Sequence, residues 1–409
     1  MPIESNKKLK VIMVNYEFPP IGGGGGTTTR FLAKHLVKLG VDVSVLTVKP
    51  GKESYYVHPD GFKLYFVGPT KTKLQTTHIP ELARFILTII FYAKQIVKKV
   101  KPDLTHCFFT IPSGCFGLYC KKAFSIPFIT STLGADVPGF NIGDWRLNVY
   151  HFITHDLSRA IWNNSSYIVA NSSSLKSLCK QFSQNLDFEM ITNGVDTDIF
   201  YPLDKKNYSD NSNVKLLFIS RLAWQKGIET LIKSLGILKN RGITNFKLTV
   251  VGDGHLKDAM FSLIDHYGIR EKVDFLGWRK LEELPFIYRS SDLFILPSVM
   301  EGMPSVVLQA MACGLPVIVS KVDGFKEIVE ENVNGFTAEY NNEEDFANAI
   351  EKLIKSSELR EKMSIKSVEK SKAFSWESIA KKYLELYQKT VFGKIESNRE
   401  KTFVTSSTT

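Results

Sequence analysis

The sequence is poor in cysteine and contains no long hydrophobic run. Five cysteines occur among 409 residues, none forms a Cys-x-x-Cys pair, and none has the neighbours of a zinc site. We therefore expect buried, reduced thiols in the cytoplasm rather than a disulfide framework. The longest apolar stretch, Phe85–Ala93, is about half of what a membrane-spanning helix needs. The first residues lack the features of a secretory signal, so export is not expected.

Acidic residues are scarce in the first half. Residues 1–200 hold 22 lysines and arginines against 14 acids, whereas the rest of the chain is nearly balanced, with 30 against 28. Residues 71–101 contain seven basic residues and one acid, Glu81. An anionic membrane surface or an anionic substrate fits this excess. Nucleic acid is disfavoured because no aromatic and basic stretch resembles a known binding module.

Short branched apolar runs alternate with segments of helical spacing, which predicts doubly wound parallel α/β sheets. In the first half, strands are predicted at Lys10–Asn15, Val41–Val48, Leu104–Cys107, Phe128–Ser131 and Tyr167–Asn171, and helices at Thr27–Leu39, Leu82–Val100, Gly114–Lys122 and Asp144–Trp162. In the second half, strands are predicted at Lys215–Ser220, Lys247–Val251, Val273–Leu276, Leu293–Pro297 and Pro316–Ser320, and helices at Gly227–Asn240, Leu256–Tyr267, Val306–Ala312 and Trp376–Tyr387.

The length accommodates two domains, and the polar stretch Asp204–Asn213 is the predicted interdomain region. We expect a Rossmann-like domain over residues 1–200 and a second over residues 201–375. Residues 376–409 are expected to form a helix that packs back on the first domain, followed by a flexible tail. Ligands of such sheets bind outside the carboxyl ends of the strands, so the expected site is a cleft between the two domains.

Five consecutive glycines, Gly22–Gly26, follow the first predicted strand. In a strand-to-helix turn, backbone amides and a helix N-terminus form an anion site. A dinucleotide site fits less well, because Thr27 stands where its fingerprint needs glycine and no acid follows Val48 and Lys49. A purely structural explanation, in which glycines let the helix pack closely against the strand, accounts for one or two of the five.

Two further stretches carry groups suited to a diphosphate and a sugar. SRLAWQKG places Arg221 and Lys226 in a loop that enters a helix, as two cations converging on a diphosphate would need. In LPSVMEGMPSVVLQAMACGLPVIVS, Glu301 lies at the loop tip, where its carboxylate can accept hydrogen bonds from sugar hydroxyls. The backbone amides around Met303–Ser305, just before the next predicted helix, are suited to binding phosphate.

These motifs closely resemble the family 4 glycosyltransferases of group 1 type, which are retaining enzymes of the GT-B fold. The resemblance covers roughly residues 8 to 390. Its motifs, in chain order, are PPIGGGGG, GADVPGF, ITNGVDTDIFYP, SRLAWQKG, VVGDG and EGMPSVVLQAMACGLPVI. The fold it implies is two Rossmann-like doubly wound domains facing across a cleft, the first binding the acceptor and the second the nucleotide sugar.

The resemblance also implies roles for particular residues. The donor diphosphate and sugar would be bound by Gly23, Gly24, Arg221, Lys226, Glu301, Met303, Pro304, Ser305 and Gln309. The catalytic set would be Asp136, on the acceptor side, together with Arg221, Lys226 and Glu301. Fixed cations and helix amides can stabilise the leaving diphosphate, so neither a metal nor another cofactor is expected. The alternative metal motif, Asp196-Thr197-Asp198, has a structural role by the same resemblance.

The implied reaction moves a hexose from a nucleotide-diphosphate sugar to a glycan or lipid-linked acceptor, in cell-surface polysaccharide or glycolipid biosynthesis. A UDP-sugar is favoured over a GDP-sugar. The expected location is the cytoplasm, with peripheral contact to the inner face of the membrane through the basic segment Ile79–Lys101. The alternative for that segment is an ordinary crossover helix with lysines at its C-terminus.

Two departures from the family pattern leave other functions open. Gln309 replaces the second acid of the Glu-x7-Glu motif, and Leu133 stands near the position of an acceptor-loop histidine. A non-catalytic, nucleotide-binding relative and a nucleotide-sugar epimerase are the alternatives. His106 ends a strand on the cleft side but is better explained as a buried, hydrogen-bonded residue. His151 and His155 have the spacing of a helical metal pair without a third ligand.

Overall fold

The computed structural model describes residues 8–21, 23–68, 79–140, 145–203 and 211–406. These residues form two compact units, each with its own hydrophobic cluster. The first unit contains the described residues up to Thr192 and those from Trp376 onward, and the second is Asn193–Ser375. The chain thus changes unit after Thr192, earlier than the boundary after residue 200 that the sequence indicates. Most of the predicted connecting stretch, residues 204–210, lies outside the described residues.

The first unit contains an eight-stranded sheet. Its strands are β1 (Lys10–Val14), β2 (Asp42–Val48), β3 (Tyr55–Val57), β4 (Lys63–Val67), β5 (Leu104–Phe108), β6 (Phe128–Thr132), β7 (Tyr167–Ala170) and β8 (Glu189–Met190). The spatial order is β3-β4-β2-β1-β5-β6-β7-β8, and only the β3–β4 pair among the strand pairs described is antiparallel. The order reverses between β1 and β5, which is the switch point where parallel sheets bind ligands.

In the described part of the first unit, six helices precede the second unit: α1 (Gly24–Lys38), α2 (Ile79–Val100), α3 (Ser113–Phe124), α4 (Trp145–Ile153), α5 (His155–Asn164) and α6 (Ser173–Phe182). The long helical stretch predicted over Asp144–Trp162 is divided into two helices, because α4 ends and α5 begins around Thr154. The Thr154 hydroxyl donates to the Tyr150 carbonyl at 2.8 Å. Such a local side-chain bond competes with regular helix geometry and breaks or bends the helix.

The second unit contains a six-stranded, entirely parallel sheet. Its strands are β9 (Val214–Ile219), β10 (Phe246–Val251), β11 (Val273–Gly277), β12 (Leu293–Leu296), β13 (Val317–Ser320) and β14 (Gly335–Ala338). Its helices are α7 (Ile228–Asn240), α8 (Lys257–His266), α9 (Leu284–Arg289), α10 (Ser305–Ala312), α11 (Glu343–Lys355) and α12 (Ser357–Ser371). The order β11-β10-β9-β12-β13-β14 reverses between β9 and β12.

The last helix, α13 (Trp376–Ser406), belongs to the first unit and is longer than the sequence predicts. Its first residue, Trp376, stacks on Phe31 of α1 with ring centroids 6.3 Å apart. One turn after Tyr383, the Tyr387 hydroxyl lies 2.6 Å from Nδ1 of His106 on β5. Both contacts are buried, so α13 forms part of the core of the first unit.

Candidate functional site

The two second-unit loops with predicted ligand groups follow neighbouring strands. The loop that carries Arg221 and Lys226 begins after β9, and the loop that carries Glu301 begins after β12. These strands pair in parallel at the point where the strand order reverses. In doubly wound sheets, the crevice beyond that point is the ligand site. The fold therefore brings together residues that are far apart in the sequence.

Lys226 and Glu301 form an ion pair at this switch point. The Lys226 ammonium donates to Oε1 of Glu301 at 2.6 Å, and the Ser298 hydroxyl donates to the same oxygen at 2.8 Å. Side-chain exposure is 22% for Lys226 and 9% for Glu301. A pair this sheltered is screened less by solvent than a surface pair. The site thus holds one cation and one anion in direct contact.

Glycines allow the loops of this site to approach closely. Gly227 has φ +67°, and a Cβ there would lie 1.9 Å from the Pro297 carbonyl oxygen. A Cβ at Gly324, in the loop after β13, would lie 2.2 Å from the Glu301 carbonyl oxygen. The Val299 amide also donates to the Gln225 carbonyl at 2.9 Å. Only glycine fits both positions, and the resulting contacts fix Glu301 beside Lys226.

Arg221 lies just beyond the end of β9. Its side chain is exposed, whereas Lys226 is partly buried. The backbone before it is held by the neighbouring strand, since the Ser220 amide donates to the Val251 carbonyl at 3.1 Å. Among the described residues, no carboxylate pairs with its guanidinium. Arg221 is therefore a cation fixed at its base and available to an anionic ligand.

Helix α10 begins at Ser305, with Pro304 as its N-cap and no capping side chain. Asn193 Nδ2 donates to the buried Met303 carbonyl at 3.0 Å, which orients the approach to the helix. Gln309 is 6% exposed, and the Tyr288 hydroxyl donates to its Oε1 at 3.1 Å. The same hydroxyl lies 3.1 Å from the Val306 carbonyl oxygen, so Tyr288 holds Gln309 close to the start of α10. The ribose contact of Gln309 stays a prediction.

The glycine run of the first unit lies at the other switch point. Helix α1 already begins at Gly24, so the run forms its first turn instead of preceding it, and Gly22 lies outside the described residues. A Cβ at Gly25 would meet the Phe109 ring at 2.8 Å, and one at Gly26 would meet the Phe18 backbone at 3.1 Å. Packing thus explains Gly25 and Gly26, whereas Gly23 and Gly24 have open space around their Cα atoms.

A carboxylate already occupies part of this helix N-terminus. The Gly23 amide donates to Oε2 of Glu17 at 3.1 Å, and the bond is exposed. The negative side chain interacts favourably with the positive end of the helix dipole. An anionic ligand bound at Gly23 and Gly24 would have to displace Glu17 or bind beside it. Nothing in the local sequence indicates this role for Glu17, because the contact depends on the fold of the turn.

Asp136 holds its own loop in place. Oδ2 accepts hydrogen bonds from the Thr110 amide at 2.8 Å and the Thr110 hydroxyl at 3.0 Å. Oδ1 accepts from the amides of Leu133 at 3.0 Å and Gly134 at 3.1 Å. The side chain is 8% exposed. A carboxylate with these four internal bonds positions the loops after β5 and β6, and the acceptor-side role of Asp136 stays a prediction.

Phe109 is a residue that the sequence analysis did not single out. It follows β5 with φ +68°, a value that bulky residues adopt only when the surrounding structure enforces it. Its ring and the Leu133 side chain both lie against Gly25. These two partly exposed side chains give the first switch point an apolar wall.

The histidines have structural surroundings. His106 is fully buried between Tyr387 and Ser131, whose hydroxyl lies 2.7 Å from Nε2, and burial lowers the pKa of the ring to about 3. His151 and His155 lie on different helices, because helical structure is interrupted at Thr154. Burial lowers the pKa of His151, and His155 pairs with Asp156 at 2.9 Å. The pair predicted from i, i+4 spacing is therefore not on one helix.

The Asp196-Thr197-Asp198 motif folds a turn. Asp196 is 1% exposed, and its Oδ1 accepts from the Asp198 amide at 3.1 Å. Among the residues that the structure describes, no group of three or more His, Cys, Asp or Glu side chains comes together as metal ligands would.

All five cysteines are free and buried, and burial raises the pKa of the Cys115 and Cys120 thiols to about 12.

No helix in the described part of the chain has the length and apolar character to span a bilayer. Helix α2, which carries most of the basic segment, is amphipathic: Phe85, Ile89 and Ala93 are buried, whereas Leu87 and Phe91 are exposed by 72% and 74%.

Two family models together match most of the chain. Residues 22–199 match Glycosyltransferase Family 4, and residues 202–370 match Glycosyl transferases group 1. An uncharacterized glycosyltransferase of Methanocaldococcus jannaschii is 29% identical over 403 residues, covering 93% of this chain and 98% of the relative. The UDP-Gal:alpha-D-GlcNAc-diphosphoundecaprenol alpha-1,3-galactosyltransferase of Escherichia coli is 27% identical, covering 66% of this chain and 73% of that protein.

The fold is shared with solved structures. Anabaena HepE, in complex with UDP and glucose, superimposes with a TM-score of 0.71 and 20% identity, covering 92% of this chain and 99% of HepE. At this identity the likeness establishes the fold alone. Both the sheets and the structural neighbours show the GT-B architecture that the sequence resemblance predicts, with one antiparallel edge strand in the first sheet.

Proposed function

Because this chain belongs to the family 4 glycosyltransferases of group 1 type and is a glycosyltransferase of the GT-B fold, we propose that it is a retaining hexosyltransferase that uses a nucleotide-diphosphate sugar. The acceptor is a glycan or a lipid-linked sugar in cell-surface polysaccharide or glycolipid biosynthesis. The observation that supports this most directly is the Lys226–Glu301 pair at the switch point of the second unit.

Lys226 and Arg221 bind the donor diphosphate in this proposal. When the glycosyl–phosphate bond breaks, its electron pair goes to the leaving phosphate oxygen and negative charge develops there. Cations fixed before the reaction stabilise that charge most strongly in the transition state. Lys226 is fixed by its bond to Glu301, and Arg221 by its position directly beyond β9. The two cations supply charge stabilisation without a divalent ion.

Glu301 binds the donor sugar, and the first turn of α10 binds phosphate. In the structure, Oε1 of Glu301 accepts from both Lys226 and Ser298. Its second oxygen is the acceptor that remains for sugar hydroxyls. The amides around Met303–Ser305 precede and open α10, where the helix dipole favours an anion. The nucleotide ribose would then lie near the Gln309 amide nitrogen.

A UDP-sugar is the proposed donor and a lipid-linked sugar the first acceptor to test. The donor is supported by HepE, which shares the fold and was solved with UDP and glucose. The acceptor is supported by the Escherichia coli relative, whose substrate is a GlcNAc-diphosphoundecaprenol. In the first unit, Phe109 and Leu133 line the switch point that would receive the acceptor, with Asp136 positioning their loops.

Isothermal titration calorimetry with UDP, GDP, ADP and CDP, in the presence of a chelator, tests the donor site. We expect micromolar binding of UDP and at least tenfold weaker binding of the others. Arg221→Ala should weaken UDP binding about tenfold or more, because a charged hydrogen bond to phosphate is lost. A matched control is Arg270→Ala, since Arg270 is also an exposed arginine of the second unit but lies after α8.

Three results would count against the proposal. Binding of no nucleotide would favour a non-catalytic relative, in which Gln309 and Glu17 have reduced ligand binding. Binding that requires a divalent ion would contradict metal independence. Conversion of the nucleotide sugar in the absence of any acceptor would indicate an epimerase.

We also place the protein at the inner face of the membrane, with the first unit in peripheral contact. Helix α2 exposes Leu87 and Phe91 together with the basic residues Arg84, Lys94 and Lys98. Exposed apolar side chains beside positive charge are typical of helices that bind anionic bilayers. Flotation should recover more protein with vesicles rich in phosphatidylglycerol than with phosphatidylcholine vesicles. Equal recovery from both would overturn the membrane proposal and leave the transfer reaction unaffected.

A further inference from the structure

A pocket lies at the β3 edge of the first sheet, apart from both switch points. It is bounded by the β3–β4 hairpin and by the last turns of α2, and its volume is about 310 Å³. This is at the lower end of the range for small-ligand sites. None of the residues that the sequence analysis assigns to donor or acceptor lines it.

Three tyrosines form the walls of this pocket. Tyr55 of β3 and Tyr65 of β4 are opposite each other in the strand register, with ring centroids 5.1 Å apart. Tyr92 of α2 completes the set. Tyr55 and Tyr92 remain 42% and 38% exposed, so part of each side chain is accessible from solvent. Exposed aromatic rings gathered around one pocket offer apolar faces with hydroxyl groups at their edges.

Two lysines bring positive charge to the same pocket. The Lys99 ammonium lies 4.9 Å from the Tyr55 ring centroid and 5.2 Å from that of Tyr65, a cation–π arrangement that fixes its position. Lys49, beyond the end of β2, also lines the pocket. In the part of the chain that the structure describes, neither ammonium pairs with a carboxylate. The charge of the pocket is therefore uncompensated.

We propose that this pocket binds an anionic saccharide, that is, a sugar ring that carries a carboxylate or a phosphate. The C–H face of a pyranose is apolar and flat enough to stack on a tyrosine ring, while its hydroxyls point outward toward groups such as Gln95 and Ser54 at the rim. The anionic group meets Lys49 and Lys99. A neutral sugar would leave both cations unpaired, and a bare phosphate would leave the tyrosine faces uncovered.

Two sources can supply this chemistry: a free acidic glycan and the headgroup of an acidic glycolipid. Helix geometry bears on the second source. Leu87, Phe91, Gln95 and Lys99 are successive i, i+4 positions of α2, so one ridge runs from exposed apolar side chains to the rim of the pocket. A glycolipid headgroup in the pocket would leave its apolar chain free to follow Leu87 and Phe91.

Saturation-transfer NMR with glucuronic acid, glucose 6-phosphate and glucose tests the proposal on the full chain. We expect transfer to the two acidic sugars and at least about tenfold weaker binding of glucose, as the loss of charged hydrogen bonds predicts. Tyr55→Ala and Lys99→Gln should abolish the signal. Lys94→Gln, an exposed lysine of α2 that does not line the pocket, should retain it.

Lys226→Ala, at the donor site, should also leave acidic-sugar binding unchanged, which separates this proposal from the transferase proposal. Flotation with phosphatidylcholine vesicles that contain a glucuronosyl diacylglycerol identifies the glycolipid source if Tyr55→Ala abolishes recovery. Equal binding of glucose and glucuronic acid would overturn the proposal, as would unchanged binding by Tyr55→Ala. Binding to phosphatidylglycerol vesicles without binding of any acidic sugar would assign the surface to lipid phosphate and also overturn it.

Discussion

Lys226→Ala is expected to lower kcat/KM by about a hundredfold to a thousandfold while the second unit stays folded. Removing one group that stabilises developing charge in a sheltered site has an effect of that order. The same change should weaken UDP binding, because in the proposed reaction the ammonium contacts the diphosphate before and after bond cleavage. Initial rates with the donor identified by calorimetry, together with UDP titrations, give both quantities. Lys366→Ala is the control, since Lys366 forms an exposed ion pair with Glu369 on α12.

Glu301→Gln separates the role of the pair from the role of Lys226 alone. The substitution keeps a hydrogen-bonding side chain but removes the negative charge 2.6 Å from the ammonium. UDP affinity should stay the same or increase, because Lys226 is then uncompensated, whereas kcat should fall because the sugar hydroxyls lose a charged acceptor. A parallel fall in UDP affinity would mean that Glu301 serves only to position Lys226. Near-normal turnover in either variant would remove the pair from the site.

Gly227→Ala should destabilise the second unit by about 3–5 kcal/mol and abolish UDP binding. The left-handed backbone conformation accounts for about 1–2 kcal/mol. The remainder comes from the Cβ, which would lie 1.9 Å from the Pro297 carbonyl oxygen and force the Lys226 and Glu301 loops apart. Urea denaturation followed by circular dichroism measures the stability, and calorimetry measures the binding.

Gly242→Ala is a matched control for that prediction. Gly242 has φ +77°, yet a Cβ there would meet nothing within 4 Å. This change should therefore lower the free energy of unfolding only by the cost of the left-handed backbone conformation, about 1–2 kcal/mol. UDP binding should stay normal. Equal destabilisation by the two substitutions would show that the contact with Pro297 does not hold the loops together.

The sequence identified the central strands well and the edges of the sheets poorly. Predicted strands such as Lys247–Val251 and Pro316–Ser320 lie within one residue of β10 and β13. Central strands are buried on both faces, so they are continuous apolar runs that are easy to recognise. The edge strand β3 was missed because Tyr55, Tyr56 and Val57 are all exposed and give no buried face to recognise, and its partner β4 was missed with it. Their pairing depends on the sheet edge that they join.

Charged residues in structural roles were equally hard to recognise. Arg360 is 1% exposed, and its guanidinium donates to the Leu353 carbonyl at the end of α11 at 2.6 Å. Nothing in the local pattern of α12 distinguishes it from an exposed helix arginine. Asp136 resembles an active-site acid in its motif, but its carboxylate binds Thr110, which lies 26 residues away in the chain. Long-range partners of this kind are set by packing, which local patterns do not contain.

The sequence by itself determined the fold class, the family and the order of the motifs, because apolar periodicity and glycine positions are local properties of the chain. It also placed Arg221, Lys226 and Glu301 in loops after strands, and the structure has them there. Only the tertiary structure decided that Lys226 pairs with Glu301, 75 residues away, and that Glu17 binds the Gly23 amide. The reason is physical: strand order sets which loops are neighbours, and a carboxylate bonds to whichever donors the packed loops bring within reach.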